Sequence, residues 1–140
     1  MSKVAVVYWS GTGNTEEMAK YVVEGAERVG ASVERFTASI FDAQLMKKFD
    51  TIAFGCPSMG AENLEETEFE PMFELCEPYL AGKRIALFGS YGWGDGEWMR
   101  EWEQTCLSNG AVLVCESVIC NEAPDAEAIQ ACRQLGTALA

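Results

Sequence analysis

The sequence predicts an α/β fold: a doubly wound three-layer sandwich on a five-stranded parallel sheet. Short apolar runs rich in β-forming residues recur along the chain, as expected of strands that are covered on both faces. Between them the apolar spacing changes from a period of two to about three and a half, which indicates helices packed against the sheet. No repeat or linker interrupts this alternation, so residues 1–140 are expected to form a single domain.

The predicted strands differ in character. Three are near-continuous apolar runs that suit the interior of a parallel sheet. In the second strand apolar and polar residues alternate more, which suits the edge of a sheet. The last strand has a polar interruption around Glu116. In chain order the predicted strands cover residues 3–9, 31–36, 50–57, 83–91 and 111–120.

Five helices are predicted between and after the strands. The first extends from about Asn14 to Val29 and is stopped by Gly30. The third carries Pro71 in its first turn, where the N–H that proline lacks would have no helical partner. The apolar stripes of the second to fifth helices are Phe41, Leu45 and Met46; Phe69, Met72, Phe73 and Cys76; Trp98, Trp102 and Cys106; and Ile129, Cys132, Leu135 and Leu139.

Composition and charge exclude several classes of function. With 140 residues, of which 49% are apolar, the chain can bury a core without disulfides or metal. The net charge of −12 argues against nucleic acid and anionic membranes, which carry the same sign, and favours a basic protein partner. No apolar run approaches the roughly 20 residues that cross a bilayer, and no signal-type segment begins the chain, so a cytoplasmic location is expected.

The cysteines and the absence of histidine exclude several chemistries. No C-x-x-C motif is present, and a plant-type iron–sulfur run that started at Cys115 and Cys120 would need its next ligand at Ala123, so no metal is expected. Without histidine, a histidine-based triad, general base or zinc site is impossible. Most of the six cysteines are expected to be buried apolar residues in a reducing compartment.

Three glycine-containing loops, residues 10–15, 57–63 and 90–96, follow the carboxyl ends of predicted strands one, three and four. In an open doubly wound sheet, ligands bind outside the carboxyl ends of the strands, where the strand order reverses. A sheet order of 2-1-3-4-5 would place those three strands side by side. The three loops therefore predict one ligand-binding crevice.

The first loop has the composition of a phosphate site without a cation. Gly11 and Gly13 allow a tight turn and the first helix follows at once, so backbone N–H groups and the helix terminus can hold an anion. An ordinary turn with a helix cap is the alternative. The donors are Ser10, Thr12, Asn14 and Thr15, and no Lys, Arg or His lies between Trp9 and Thr15.

Other phosphate-binding motifs do not fit. The chain has no Walker A sequence, and Glu16 stands where a dinucleotide fingerprint needs its third glycine. Cys56 and Pro57 occupy the place of the phosphate-accepting Asp of a response-regulator receiver, and a cysteine phosphatase would need Arg at Glu62. The class of ligand that is still compatible with this loop is a mononucleotide with a flat group attached.

Met59 and Trp93 are candidates to hold that flat group. Each lies at the tip of a glycine-containing loop, and a thioether and an indole can enclose an aromatic heterocycle. Local packing is the alternative for either residue alone. Trp98 and Trp102, at helical spacing, are expected to be packing residues of the core or helix surface.

The segments YWSGTGNTE, PSMGAENLEETEFEP and LFGSYGWGDGEWM resemble the short-chain flavodoxins of anaerobic bacteria, and the likeness extends to NEAPDAEA near the end of the chain. The resemblance implies the sheet order 2-1-3-4-5, one noncovalent FMN and single-electron transfer between redox proteins, not enzymatic catalysis. We expect a monomeric carrier of low potential that cycles mainly between semiquinone and hydroquinone. Its partners would be basic-surfaced redox proteins such as ferredoxin-linked oxidoreductases.

The same resemblance assigns the FMN phosphate to residues 10–15. Ser58 and Ser90 would approach the ribityl chain, and Met59 and Trp93 would cover opposite faces of the isoalloxazine ring. The implied FMN site comprises, in chain order, Ser10, Gly11, Thr12, Gly13, Asn14, Thr15, Pro57, Ser58, Met59, Gly60, Ala61, Glu62, Ser90, Tyr91, Gly92, Trp93, Gly94 and Asn121.

The resemblance also implies a conformational switch in the second loop. The peptide after Met59 would flip so that its carbonyl accepts a hydrogen bond from the N5–H of reduced flavin, a change that Gly60 permits at low cost. Ala61 departs from the Asp or Ser that related sequences often have at this position, which affects the balance of the switch.

The edge of the flavin ring would lie in acidic surroundings. Gly92, Gly94 and Glu62 would bind the pyrimidine edge, and Asn121 would lie near the cofactor, with an ordinary Asn-Glu turn as the alternative. From Glu62 to Glu77 the chain carries seven glutamates and no basic residue, which a solvated helix face would also explain. Several such charges about 10 Å away would disfavour an anionic reduced FMN by about 2–3 kcal/mol, on the order of 100 mV.

Two other classes of function stay open at this point. An FMN-dependent quinone or nitro reductase would bind flavin in the same fold, but it would need room for a substrate over the ring, which Trp93 and the short loops are expected to close. A module of this fold that holds no flavin and only binds proteins is the second.

Overall fold

Six strands form a parallel sheet in the computed structural model, which describes residues 2–140. They are β1 (Lys3–Tyr8), β2 (Ser32–Thr37), β3 (Thr51–Gly55), β4 (Arg84–Tyr91), β5 (Val112–Leu113) and β6 (Val118–Asn121). Their order is β2-β1-β3-β4-β5, with β6 also paired to β4, which confirms the predicted order. β2 lies at an edge, as its alternating sequence predicts.

The single last strand predicted over residues 111–120 is divided in two. Its parts pair with different stretches of β4: β5 with Arg84 and Ile85, and β6 with residues 88–91. The residues between them include the exposed Glu116, whose charge is not accommodated in the ladder. Ser117, beside it, donates a hydrogen bond to Glu103 on a helix. The polar interruption seen in the sequence is therefore a break in the strand.

All five predicted helices are present. The first ends one residue before the predicted limit, with Val29 as its C-cap and Gly30 following at a φ of 95°. The helices are α1 (Asn14–Arg28), α2 (Ala43–Met46), α3 (Phe69–Cys76), α4 (Glu97–Ser108) and α5 (Ala126–Leu139).

The core lies on both sides of the sheet. Alternate residues of β1 belong to different apolar clusters: Ala5 and Val7 pack on the side of α3 and α4, whereas Val4 and Val6 pack on the side of α1 and α5. This two-sided burial is the physical reason that the strand reads as a continuous apolar run. Trp98 and Trp102 belong to the core on the α3 and α4 side, as the helical spacing predicts.

The cysteines are largely buried, as the sequence predicts. Five of the six are buried and Cys115 is partly buried. Burial raises the pKa of the Cys132 thiol to about 12 and that of Cys120 to about 11, so both stay protonated at neutral pH. None of the helices described in residues 2–140 has the length and apolar character needed to span a membrane.

Candidate functional site

The three glycine-containing loops meet at the carboxyl ends of β1, β3 and β4, where they line one cleft with a volume of about 180 Å³. The structure thus brings most of the sequence-predicted residues together. Trp9 and Glu122 also line the cleft, although the sequence does not predict them as site residues. The lining residues are Trp9, Ser10, Gly11, Thr12, Asn14, Thr15, Pro57, Ser58, Met59, Ser90, Tyr91, Gly92 and Glu122.

The remaining predicted residues lie around this cleft. Gly13 lines a neighbouring depression beside the first loop. Trp93 is 61% exposed and Met59 is 37% exposed, so each presents a large apolar side chain at the surface. The predicted residues outside the cleft lining are Gly13, Gly60, Ala61, Glu62, Trp93, Gly94 and Asn121.

The first loop leaves the amino-terminal end of α1 open. Gly13, its N-cap, has a φ of 99° and no side chain that could cap the helix. Ser10 Oγ accepts a hydrogen bond from the N–H of Gly13 at 3.1 Å, which holds the loop curled over the helix terminus. The first N–H groups of a helix have no intrahelical partners. The Asn14 N–H makes only a long hydrogen bond of 3.5 Å, to Thr12 Oγ1, so the terminus stays available to an anion. The helix dipole also favours negative charge there.

Thr15 supplies the most specific observation in the cleft. The residue is only 1% exposed, and its Oγ1 has no hydrogen-bond partner among the described residues. A buried hydroxyl without a partner costs free energy, so native structures rarely keep one without a reason. An unpaired hydroxyl in the first turn of α1, inside a cleft with an open helix terminus, fits a phosphate oxygen.

The second loop is a short hairpin. Met59 and Asn63 exchange two backbone hydrogen bonds of 2.8 Å, so Gly60, Ala61 and Glu62 form its tip. Met59 therefore lies at the base of the hairpin and not at its tip, where the sequence predicts it. Gly60 has a φ of 53° and Glu62 a φ of 57°. This conformation is unstrained for glycine, whereas for a glutamate it costs roughly 1 kcal/mol.

Glu62 bridges the second and third loops. Its Oε1 accepts a hydrogen bond from the backbone N–H of Glu97 at 3.1 Å, at the amino-terminal end of α4. A Cβ added to Gly94 would lie only 2.6 Å from the Glu62 carboxyl carbon, so the carboxylate packs directly on that glycine. The carboxylate predicted to bind a ligand edge therefore caps a helix in this structure.

Glu65 differs from the expectation of an acidic rim. It is only 5% exposed, and its carboxylate accepts hydrogen bonds from the N–H groups of Thr67, Glu68 and Phe69 and from the Thr67 hydroxyl. Burial alone would raise the pKa of Glu65, but the hydrogen bonds from Thr67, Phe69 and Glu68 outweigh it and lower that pKa. Glu65 is thus an internal cap for the start of α3.

The turn after β6 places Glu122, and not Asn121, in the cleft. The Asn121 side chain donates to the carbonyl of Tyr91 at 3.3 Å, which ties the end of β6 to the third loop. Glu122 has a φ of 60°, and its Oε1 lies 3.5 Å from the place of a Cβ on Gly92. The unusual φ redirects the chain, and no signal in the sequence predicts it.

Sequence and structure comparisons with known proteins point to one family. The Flavodoxin family model matches residues 6–136. The chain is 44% identical to a flavodoxin of Clostridium beijerinckii over 96% of its own length and 97% of the relative's. It is 45% identical to a flavodoxin of Megasphaera elsdenii over 98% of each chain. The solution structure of two-electron reduced Megasphaera elsdenii flavodoxin superposes with a TM-score of 0.90, at 44% identity over 97% of each chain.

Proposed function

The chain belongs to the flavodoxin family and is an FMN-binding electron carrier rather than an enzyme, and from this premise we propose that the cleft at the ends of β1, β3 and β4 is its FMN site. FMN supplies the ability to accept and release single electrons. The unpaired hydroxyl of Thr15 at the open end of α1 carries the proposal, because it offers a donor where the phosphate would lie.

Residues 10–15 hold the phosphate in this proposal, with backbone N–H groups and hydroxyls in place of a cation. Ser58 and Ser90, which line the same cleft, face the ribityl chain. Met59 and Trp93 cover the two faces of the ring, a role that the exposure of both side chains supports. Pro57, Tyr91 and Gly92 line the rest of the cleft, and the predicted residues around it are Gly60, Ala61, Glu62, Gly94 and Asn121.

The carrier works at low potential, between the half-reduced and fully reduced states of its flavin. The support is electrostatic: Glu122 lines the cleft, the exposed Glu66 follows the second loop, and the phosphate loop contains no cation to offset them. One negative charge about 10 Å from the ring disfavours an anionic reduced flavin by about 0.4 kcal/mol at water-like dielectric.

The chain acts as one FMN-binding domain, as a monomer in the cytoplasm, and exchanges electrons with basic-surfaced redox proteins of the ferredoxin-linked oxidoreductase type. Its net charge of −12 supports such partners, because opposite charge steers association between proteins.

The experiment is a stepwise reductive titration of the FMN-loaded protein, followed by absorbance. We expect two separate one-electron steps, the second at low potential, with a long-wavelength band from half-reduced flavin between them. Rapid steady turnover of NAD(P)H with a small quinone would contradict a pure carrier. Purified protein that binds no FMN would contradict the assignment of the cleft.

A further inference from the structure

A groove separate from the FMN cleft runs along the outer side of β6. It has a volume of about 650 Å³ and lies between that strand and α5, which contributes Ala128, Ala131 and Leu135 to its lining. Tyr91 is the one lining residue that it shares with the FMN cleft, within the described part of the chain. The groove thus adjoins the cofactor site and shares Tyr91 and Asn121 with the residues assigned to that site.

The backbone of β6 offers free hydrogen-bonding groups to this groove. The N–H of Glu122 donates to the Tyr91 carbonyl on β4 at 2.8 Å. Because backbone groups of successive strand residues point to opposite sides, those of Cys120 also face β4, whereas those of Ile119 and Asn121 face outward. Within residues 2–140, β6 pairs with β4 and with no other strand. An edge of this kind is a template for a further strand.

The two edges of the sheet differ in how they are protected. β2, at the opposite edge, carries the charged residues Glu34 and Arg35 in mid-strand, and charges of this kind discourage pairing with another chain. β6 has the sequence VICN, with no charged residue, and its Ile119 is 37% exposed. The unprotected edge is therefore the one that lies beside the cofactor cleft.

The groove is lined by acidic residues, which favour a basic binding partner. Glu116, Asp125 and Glu127 line it, and none of its described lining residues is basic. A second copy of this chain, with a net charge of −12, would be repelled.

We propose that the β6 edge binds an extended, basic segment of a partner protein by strand addition. Main-chain hydrogen bonds to Ile119 and Asn121 give affinity in this mode, and alternate side chains of the segment give specificity. The four residues of β6 span about 13 Å, which matches a segment of four or five residues. Binding itself does not depend on the flavin. Its value for electron transfer, which rests on the proposed function, is that the partner would be anchored next to the FMN cleft.

The test uses the FMN-loaded protein and a fluorescein-labelled peptide, Lys-Val-Lys-Val-Lys-Val, with binding followed by anisotropy at low salt. Ile119→Pro removes the outward N–H and leaves the β4 ladder intact, because proline is tolerated at a sheet edge where its nitrogen faces away. We expect saturable binding that Ile119→Pro weakens at least tenfold and that Ile119→Val changes less than twofold. Glu116→Gln with Glu127→Gln should weaken binding and reduce its dependence on salt.

Hydrogen exchange provides a measurement that needs no variant. Peptide bound to the wild-type protein should slow exchange at the Ile119 and Asn121 amides and leave the amides of β2 unchanged. Equal binding by wild-type and Ile119→Pro protein, unaltered exchange at both amides, or equal binding of a peptide with Glu for Lys would overturn the proposal. Sedimentation that showed a dimer dissolved by Ile119→Pro would overturn the choice of occupant.

Discussion

Replacing Thr15 by Val should stabilise the FMN-free protein and at the same time weaken FMN binding. Thr15 is 1% exposed and its hydroxyl has no partner among the described residues, so the free protein bears the cost of a buried unpaired group. Such a group costs about 1–3 kcal/mol, and valine has nearly the same shape without it. We expect the free energy of unfolding of the FMN-free protein to rise by about 1 kcal/mol.

The same hydroxyl should contribute to the affinity for FMN. A hydrogen bond to a charged acceptor such as a phosphate is worth about 1.5–3 kcal/mol, so its loss should raise the Kd for FMN roughly 10- to 150-fold. Riboflavin lacks the phosphate, and its Kd should change less than about threefold. The two effects of one substitution therefore have opposite signs in the free and FMN-bound protein.

Urea unfolding of the FMN-free protein and titration of flavin fluorescence with FMN and riboflavin measure both effects. Thr105→Val is the matched control, because the Thr105 hydroxyl donates to the Glu101 carbonyl on an exposed face of α4. It should leave both flavin affinities unchanged. If Thr15→Val destabilised the free protein, or weakened riboflavin as much as FMN, the hydroxyl would not be a phosphate donor.

Three further substitutions test other parts of the site. Trp93→Ala should weaken FMN and riboflavin alike by roughly 1–3 kcal/mol, because stacking acts on the ring that both share; a loss confined to FMN would contradict that role. Glu122→Gln should raise the potential of the second one-electron reduction by about 20 mV at low salt. Glu27→Gln, about 20 Å along α1 from its start, should raise it by at most about 10 mV at low salt and by only a few mV at about 0.1 M salt, where 20 Å is about two Debye lengths. Glu65→Gln should lower the free energy of unfolding by about 1–3 kcal/mol at pH 7. Since the folded pKa of Glu65 lies below its ordinary value of 4.5, this stabilisation is present above pH 4.5 and should disappear as the pH falls through the folded pKa, which urea unfolding across pH will show.

The architecture could be predicted from local patterns because a strand buried on both faces has a continuous run of apolar residues in the sequence. The continuous apolar run of β1 and the helical stripe of α1 each correspond to a buried surface. The division of the last strand was visible only as the polar residue Glu116. Whether a polar residue divides a strand depends on how the segments on either side of it pair with β4. This pairing is a property of the sheet and not of the segment itself.

The site could be predicted where backbone geometry depends on glycine, as in the loop around Gly11 and Gly13. It could not be predicted where a side chain turns toward a distant element. Glu62 caps α4 across 35 positions of sequence, and Glu122 enters the cleft because its φ is 60°. Neither placement follows from local composition, since the sequence around a glutamate does not distinguish an exposed side chain from one that caps a helix.

The glutamates around the second loop show why charge counted from sequence is a poor guide to the flavin potential. Glu62 caps α4, Glu65 caps α3, and Glu68 accepts a hydrogen bond from the Trp9 indole at 2.9 Å. Neutralising any of these three would move a loop as well as remove a charge. Their substitution therefore cannot separate electrostatics from geometry. Glu122 and the exposed Glu66 are the better probes, and agreement between the potential shifts at these two positions would identify a field effect independent of loop conformation.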